Sequence, residues 1–256
     1  KNKISAVYIT PLKALNRDIF RRIIKYAEDE GLRVSIRHGD TTRSEKQKMT
    51  KEPPDVLITT PETLGIMIGN KSTRETLTDT KYVIIDEFHE LIGNERGTHL
   101  TLSLERLQEL TPTKIVRIGL SATLGNVSTG LQLLSGEAYK STAVLDHTKK
   151  EYDIAIKYIK GDLFEVARVI LKRLRETNKA TLLFTNTRVE AEAIGSILKA
   201  KEPEFPIEIH HGSLSREARE DAETRLKSGQ PILVVCTSSL ELGLDIGSID
   251  DVMQFG

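Results

Sequence analysis

The chain has 256 residues, a length that fits one large domain or two ordinary ones. Its hydrophobic content of 38% and charged content of 29% are typical of a soluble globular protein, and no apolar run approaches the roughly 18 residues of a membrane helix. A single cysteine, Cys236, excludes an internal disulfide framework and favours a reducing compartment, the cytoplasm. The first residues also lack the apolar core of a signal peptide.

The formal net charge is zero, but the charges are unevenly distributed. Residues 1–50 carry twelve Lys and Arg against six Asp and Glu, whereas residues 203–256 carry four against ten. A surface that binds phosphates must therefore be local. Solvated helix faces at the two ends explain the same distribution equally well.

Short β-branched runs alternate with amphipathic segments, in two series. The first series predicts strands at residues 6–10, 34–37, 56–59, 82–86 and 115–118, and the second, which begins near Tyr152, at residues 181–185, 207–210 and 232–236. This alternation predicts an α/β fold with two mainly parallel sheets, each covered by helices on both faces. Residues 136–150 are polar and lack a strong helical period, so we predict one lobe at residues 1–146 and another at 147–256.

One helix of the second lobe has a clear start and a clear core face. Asp162 and Glu165 stand at the positions of a capping pair. The residues that follow form one apolar stripe at helical spacing: Leu163, Val166, Ala167, Ile170, Leu171 and Leu174. We assign this stripe to the core and give it no function.

The fourth predicted strand ends abruptly in the run Asp86-Glu87-Phe88-His89. Side chains at the carboxyl end of a central parallel strand face the crevice where ligands bind. One carboxylate there can hold Mg²⁺ through water molecules, and its neighbour can take a proton from an attacking water. A solvated strand end with no chemical role is the alternative interpretation.

Two more strand ends carry small polar residues. Ser121-Ala122-Thr123 follows the fifth strand, and an ordinary turn explains it as well as a bridging role does. Thr60-Pro61 reads as a helix start, with Thr59 and Glu62 at capping-box spacing. A helix start exposes backbone N–H groups that suit a phosphate, although capping alone explains these residues.

Taken together and in order, these segments resemble the motifs of the superfamily 2 helicases. The matching runs are residues 10–15 (motif Ia), 60–62 (Ib), 86–89 (the DExH form of motif II), 121–123 (III), 184–188 (IV), 211–215 (the turn after it) and 237–245 (V). Residues 11–18, 89–91, 96–97, 102–107 and 237–245 look most like the large helicase-related (Lhr) family. The resemblance implies two RecA-like lobes that use ATP and Mg²⁺.

The resemblance also implies roles for individual residues. Asp86 would bind Mg²⁺, Glu87 would be the catalytic base, and His89 with Ser121 and Thr123 would couple the lobes. In the second lobe, Gly243 and Asp245 would approach the nucleotide. The residues that would line the path of the strand are Pro11, Lys13, Thr60, Asn186, Arg188 and Thr237. The implied partners are single-stranded or forked DNA, RNA or an RNA–DNA hybrid, with 3′-to-5′ movement and a role in DNA repair.

A G-x-x-x-x-G-K-[ST] loop, which would cradle the β- and γ-phosphates, does not occur in the 256 residues, and neither does the arginine-bearing motif VI. Each lobe is therefore expected to be incomplete at a chain end, and residues 1–256 alone are expected to hydrolyse no ATP. The alternative is a module of helicase fold that binds nucleic acid or protein without hydrolysis. Adjacent carboxylates at residues 86 and 87 argue against that alternative.

Overall fold

The computed structural model describes residues 3–136, 140–146, 153–237 and 249–256. The chain divides into two compact units, Lys1–His147 and Thr148–Gly256. Within the described ranges, every helix is too short or too polar to span a lipid bilayer. Both units are α/β, with parallel strand pairing throughout their described sheets, as predicted.

The first unit is built around a parallel sheet whose described strands lie in the order β2-β3-β1-β4-β5. The strands are β1 (Ala6–Ile9), β2 (Val34–Arg37), β3 (Val56–Thr59), β4 (Tyr82–Ile85) and β5 (Val116–Gly119). The helices are α1 (Lys13–Asp29), α2 (Arg43–Lys51), α3 (Pro61–Gly69), α4 (Lys71–Arg74), α5 (Glu95–Leu110) and α6 (Val127–Ser135). Two short 3₁₀ helices cover Glu75–Leu77 and Phe88–Leu91.

The second unit has a parallel sheet whose described strands lie in the order β7-β8-β6-β9. Its strands are β6 (Ala180–Thr185), β7 (Ile207–His210), β8 (Ile232–Cys236) and β9 (Asp251–Phe255), and its helices are α7 (Leu163–Thr177), α8 (Arg188–Lys201) and α9 (Arg216–Lys227). All five residues of β8 are buried, which fits a strand covered on both faces.

Helix α7 begins and packs as its sequence predicts. The Asp162 side chain accepts hydrogen bonds from the backbone N–H groups of Phe164 and Glu165. The buried residues of the helix are Val166, Ala167, Ile170, Leu171 and Leu174. They pack in one cluster with Leu183 of β6 and Leu233 of β8, so the stripe is confirmed as core.

Several local predictions need correction. The first and fourth strands end one residue earlier than predicted, at Ile9 and Ile85, and the strand predicted at 181–185 begins one residue earlier, at Ala180. The fifth strand runs one residue later than predicted, and the final strand β9 was not predicted, because its alternating exposure leaves only a weak apolar signal. The capping box at Thr59 and Glu62 is wrong. Thr59 still belongs to β3, where its hydroxyl donates to the Arg37 carbonyl at 2.7 Å, and Thr60 is the N-cap of α3.

Candidate functional site

The loops that follow β3, β1 and β4 all leave the sheet at its C-terminal end, because these neighbouring parallel strands end at the same level. Ile9 of β1 lies opposite Thr59 of β3 and Ile85 of β4. Backbone hydrogen bonds continue past the strand ends: Asp86 N donates to Ile9 O, and Leu120 N donates to Ile85 O, each at 2.8 Å. The loops are therefore fixed at the C-terminal end of the sheet, the end at which open parallel sheets bind ligands.

Asp86 has both carboxylate oxygens in hydrogen bonds. Its Oδ2 accepts from the Tyr8 hydroxyl at 2.9 Å, and its Oδ1 accepts from the backbone N–H of Glu87 at 3.0 Å. Burial, followed by the charge of Asp86 and this hydrogen bond, raises the pKa of Tyr8, so the phenol stays a neutral donor. A carboxylate offers about four lone-pair positions, so the two bonds orient Asp86 and leave acceptor capacity for a hydrated Mg²⁺.

Glu87 joins β4 to the following 3₁₀ helix through a left-handed backbone (φ 46°, ψ 45°), which is uncommon for a residue other than glycine. Its side chain is half-buried. Burial, and then the charge of Asp86, raise the pKa of Glu87 above its ordinary value, while His89 acts in the opposite direction. A carboxylate with a raised pKa is a stronger base, which suits the removal of a proton from water.

His89 connects the acidic pair to the loop after β5. Its Nδ1 lies 3.0 Å from Ser121 Oγ and 3.5 Å from a carboxylate oxygen of Glu87. The Ser121 hydroxyl donates to the Thr123 carbonyl at 2.7 Å, so it accepts from His89, and Nδ1 carries the proton. Thr123 takes part through its backbone oxygen, and its side chain is exposed. The structure thus brings these predicted residues together around Asp86.

The starts of α1 and α3 differ from those of the other described α-helices. Their N-cap residues, Leu12 and Thr60, make no side-chain hydrogen bond to a helix amide, and the Thr60 hydroxyl lies 3.1 Å from that of Thr63. Every other described α-helix has a side-chain cap, from Thr42, Asn70, Asn94, Asn126, Asp162, Thr187 or Ser215. The first-turn amides of α1 and α3 therefore suit an external anion.

In the second unit, the predicted site residues that the structure describes follow β6 and β8, and Ser213 of the predicted turn follows β7. Arg188, the first residue of α8, donates from Nη1 to Ser213 Oγ at 2.6 Å. Thr237 follows β8, and its backbone N–H donates to the His210 carbonyl at 3.3 Å. Asn186 lies between β6 and α8, with its amide group against the backbone of Gly256. These residues lie at the same end of the sheet because its described strands are parallel.

The turn that carries Ser213 is fixed by His211. The His211 Nδ1 accepts from the backbone N–H of Ser213 at 3.3 Å, so its Nε2 carries the proton and donates to Glu192 at 2.7 Å. His211 is buried, and Glu192 lies on α8. This bond ties the turn to the same helix that begins with Arg188.

Some predicted residues cannot be placed, and other residues of the site were not predicted. Gly243 and Asp245 lie outside the described residues. Lys13 is the first residue of α1. Tyr8 and Arg96 were not predicted. A polar tip in the otherwise apolar β1 is the signal that could have indicated Tyr8. Arg96 lies in one of the runs that resemble the Lhr family, but it contacts residues far away along the chain, so no role could be predicted for it.

Two family models match the chain. One described as DEAD/DEAH box helicase covers residues 1–129, and one described as Helicase conserved C-terminal domain covers residues 162–256. The ATP-dependent helicase Lhr-Core protein 2 of Thermococcus barophilus is 42% identical over a match that covers 100% of this chain and 33% of that protein. The ATP-dependent helicase Lhr-Core of Methanocaldococcus jannaschii is 41% identical, with 100% and 32% covered. The chain thus spans about a third of the length of these curated relatives.

Solved structures of helicases are also similar to this chain. The Mycobacterium smegmatis helicase Lhr bound to ssDNA and AMP-PNP has a TM-score of 0.82 and 38% identity, with 99% of this chain and 36% of that chain covered. The DEAD-box helicase Mss116 bound to ssRNA and UDP-BeF, at 23% identity and a TM-score of 0.80 over 99% of this chain and 54% of that chain, shows the fold alone. Both lobes are RecA-like, and the chain belongs to the DEAD/DEAH box helicases of superfamily 2, within the Lhr family.

Proposed function

We propose that this chain is most of the motor core of an ATP-dependent helicase, which as a whole protein moves along a single strand of nucleic acid and unwinds duplexes. One observation carries the proposal: the acidic pair Asp86 and Glu87 lies at the same end of the sheet as the starts of α1 and α3, which have no side-chain caps. These segments follow the neighbouring strands β4, β1 and β3. An acidic pair suits the hydrolysis of a polyphosphate, and uncapped helix starts suit the phosphates of a strand. Because both features lie at the same end of the sheet, the path from the site of hydrolysis to the strand-binding helix starts is short.

For hydrolysis, Asp86 would hold Mg²⁺ largely through water, and Glu87 would accept the proton of the attacking water. The ion, when bound, neutralises charge that develops on the phosphates of ATP. The hydrogen bonds from Tyr8 and from the Glu87 amide orient Asp86 for this task. We assign Gly243 and Asp245 to the same nucleotide from the second lobe.

For coupling, His89, Ser121 and Thr123 would transmit the state of the acidic pair to the second lobe. The hydrogen bonds from His89 to Ser121 and from Ser121 to Thr123 support this role, because they connect the segment of the acidic pair to the loop after β5. Such discrete hydrogen-bond networks can carry coupling between two states of a motor.

For strand binding, the first lobe would use the starts of α1 and α3, with Pro11, Lys13 and Thr60. The second lobe would use Asn186, Arg188 and Thr237. Backbone amides and cations at these positions contact phosphates and read no base edges. The path is therefore expected to accept strands of any sequence.

We propose single-stranded DNA as the main partner, since the Lhr structure at 38% identity is bound to ssDNA. Forked DNA, RNA and RNA–DNA hybrids are further substrates that the family resemblance suggests. Movement from 3′ to 5′, a role in DNA repair and a cytoplasmic location belong to the same proposal for the whole protein.

Binding of a labelled single strand should weaken as salt rises. Two proposed cationic contacts, Lys13 and Arg188, give an expected slope of about −1.4 in log affinity against log salt, or about sevenfold between roughly 50 and 200 mM. Base composition should have little effect, because the contacts are to phosphates. Fluorescence anisotropy of the native protein that contains these residues, with strands of two compositions, measures both.

The matched variants are Arg188→Ala and Arg168→Ala. Arg168 is exposed on α7, where it pairs with Glu165 at 2.7 Å, and it is not one of the proposed strand contacts. Only Arg188→Ala should flatten the slope, by about 0.7. Affinity that ignores salt, or a strong base preference, would count against the strand path.

A further inference from the structure

Arg96, the second residue of α5, joins two distant segments of the first lobe. Its Nη2 donates to the carbonyl of Pro11 at 2.6 Å, and its Nε donates to Glu62 Oε1 at 2.6 Å. Although burial acts in the opposite direction, the hydrogen bond from Arg96 holds the pKa of Glu62 below its ordinary value. The guanidinium therefore faces an ionised carboxylate on one side and a backbone oxygen on the other.

The three joined segments belong to three neighbouring strands. Pro11 follows β1, Glu62 lies in the first turn of α3 after β3, and Arg96 follows β4, in the sheet order β3-β1-β4. Pro11 and Glu62 flank the two helix starts that lack side-chain caps. Arg96 thus bridges the segments that carry these two candidate phosphate sites.

Arg96 is itself fixed to the segment that follows the acidic pair. The next residue, Gly97, packs so closely on the 3₁₀ helix that an added Cβ would lie 1.7 Å from the Leu91 carbonyl oxygen. The backbone N–H of Gly97 also donates to Asn94 Oδ1 at 3.0 Å. The start of α5 is therefore packed directly against residues 88–91.

We propose that Arg96 is a positioning residue that holds the starts of α1 and α3 at the spacing of successive phosphates and links that spacing to the segment after Asp86 and Glu87. This inference rests on the proposed strand path. Arg96 need not touch the strand, since it acts through Pro11 and Glu62. Lysine cannot replace it, because one ammonium group lacks the planar fork that reaches both acceptors.

The same lobe offers a matched control in Arg33. It makes an equivalent pair of contacts, from Nη2 to the Pro53 carbonyl at 2.7 Å and from Nε to Asp55 Oδ2 at 3.3 Å. Arg33 immediately precedes β2 and Asp55 immediately precedes β3, so this pair lies at the opposite, N-terminal end of the sheet. A change there removes the same chemistry without touching the helix starts.

The test uses Arg96→Ala, Arg96→Lys and Arg33→Ala in the native protein that contains these residues. Both Arg96 variants should raise the Kd for single-stranded DNA, and the DNA concentration for half-maximal ATP hydrolysis, by about tenfold. Turnover at saturating DNA should change by less than about twofold, because the acidic pair is intact. Arg33→Ala should leave the Kd and the half-maximal DNA concentration unchanged.

Each alternative outcome is informative. Unchanged DNA dependence in the Arg96 variants, or equal weakening in Arg33→Ala, would overturn the positioning role. If Arg96→Ala lowers the thermal midpoint, Arg96→Lys becomes the deciding variant, because it keeps the charge and most of the packing. Wild-type protein that binds no single strand would instead defeat the proposed function, so the two failures are distinguishable.

Discussion

Glu87→Gln is expected to lower ATP hydrolysis by about 100-fold or more in the native protein that contains these residues, while nucleotide affinity stays within about twofold. General-base catalysis contributes roughly 10²–10⁴-fold, and glutamine removes the base with little change in size. The Asp86 side chain keeps its bond from Tyr8, and its bond from the residue 87 amide is a backbone contact that the substitution preserves. Single-turnover hydrolysis and binding of a fluorescent ATP analogue measure the two quantities separately.

The control for this variant is Glu95→Gln, which changes an exposed carboxylate at the start of α5. It should leave turnover unchanged. Hydrolysis retained in Glu87→Gln would show that another group takes the proton.

The pH profile provides a second signature of Glu87. The pKa of Glu87 is raised by burial and by the charge of Asp86. As pH falls through that pKa, Glu87 becomes protonated and can no longer act as a base, so kcat/KM falls. The acid limb of the wild-type profile should therefore lie above the ordinary pKa of a glutamate, and it should be absent from the residual activity of Glu87→Gln.

Gly97→Ala is expected to destabilise the first lobe by about 3 kcal/mol, which corresponds to roughly 10 °C in the midpoint of thermal unfolding. An added methyl group would lie 1.7 Å from the Leu91 carbonyl oxygen, and this contact is with backbone rather than with a flexible side chain. The start of α5 or the 3₁₀ helix Phe88–Leu91 must move to relieve it. Either movement displaces Arg96 or the segment that follows Glu87.

The matched control is Gly69→Ala at the end of α3. An added Cβ there has no described atom within 4 Å, and alanine favours helix over glycine by about 1 kcal/mol. Gly69→Ala should therefore be neutral or slightly stabilising. Equal thermal midpoints for wild type and Gly97→Ala would show that the close approach at Leu91 does not constrain the lobe.

The order of strands and helices was largely predictable because short β-branched runs and helix caps are local signals. Helix α7 shows this, since Asp162 and the stripe from Val166 to Leu174 can be read from adjacent residues. The weakly patterned β9 was missed, and Thr59 was wrongly assigned to a helix cap because its competing bond to Arg37 comes from another strand. Local sequence cannot show which partner wins such a competition.

The candidate site was predictable to the same degree. The ends of predicted strands, which can be read from adjacent residues, indicated Asp86, Glu87, His89 and Ser121. The structure brings these residues together. The contacts that orient them are not local: Tyr8 reaches Asp86 across 78 positions, and Arg96 reaches Pro11 across 85. Only the arrangement of the sheet brings these pairs within hydrogen-bond distance.

The central claim is that ATP hydrolysis drives unwinding, and strand displacement tests it most directly. The native protein that contains these residues would be mixed with a labelled duplex bearing a single-stranded tail, with ATP or AMP-PNP, and compared with its Glu87→Gln variant. We expect displacement only by the wild-type protein with ATP, and tail binding in every case. Tail binding without displacement would favour a module that binds without hydrolysis, and equal displacement by Glu87→Gln or with AMP-PNP would contradict the claim.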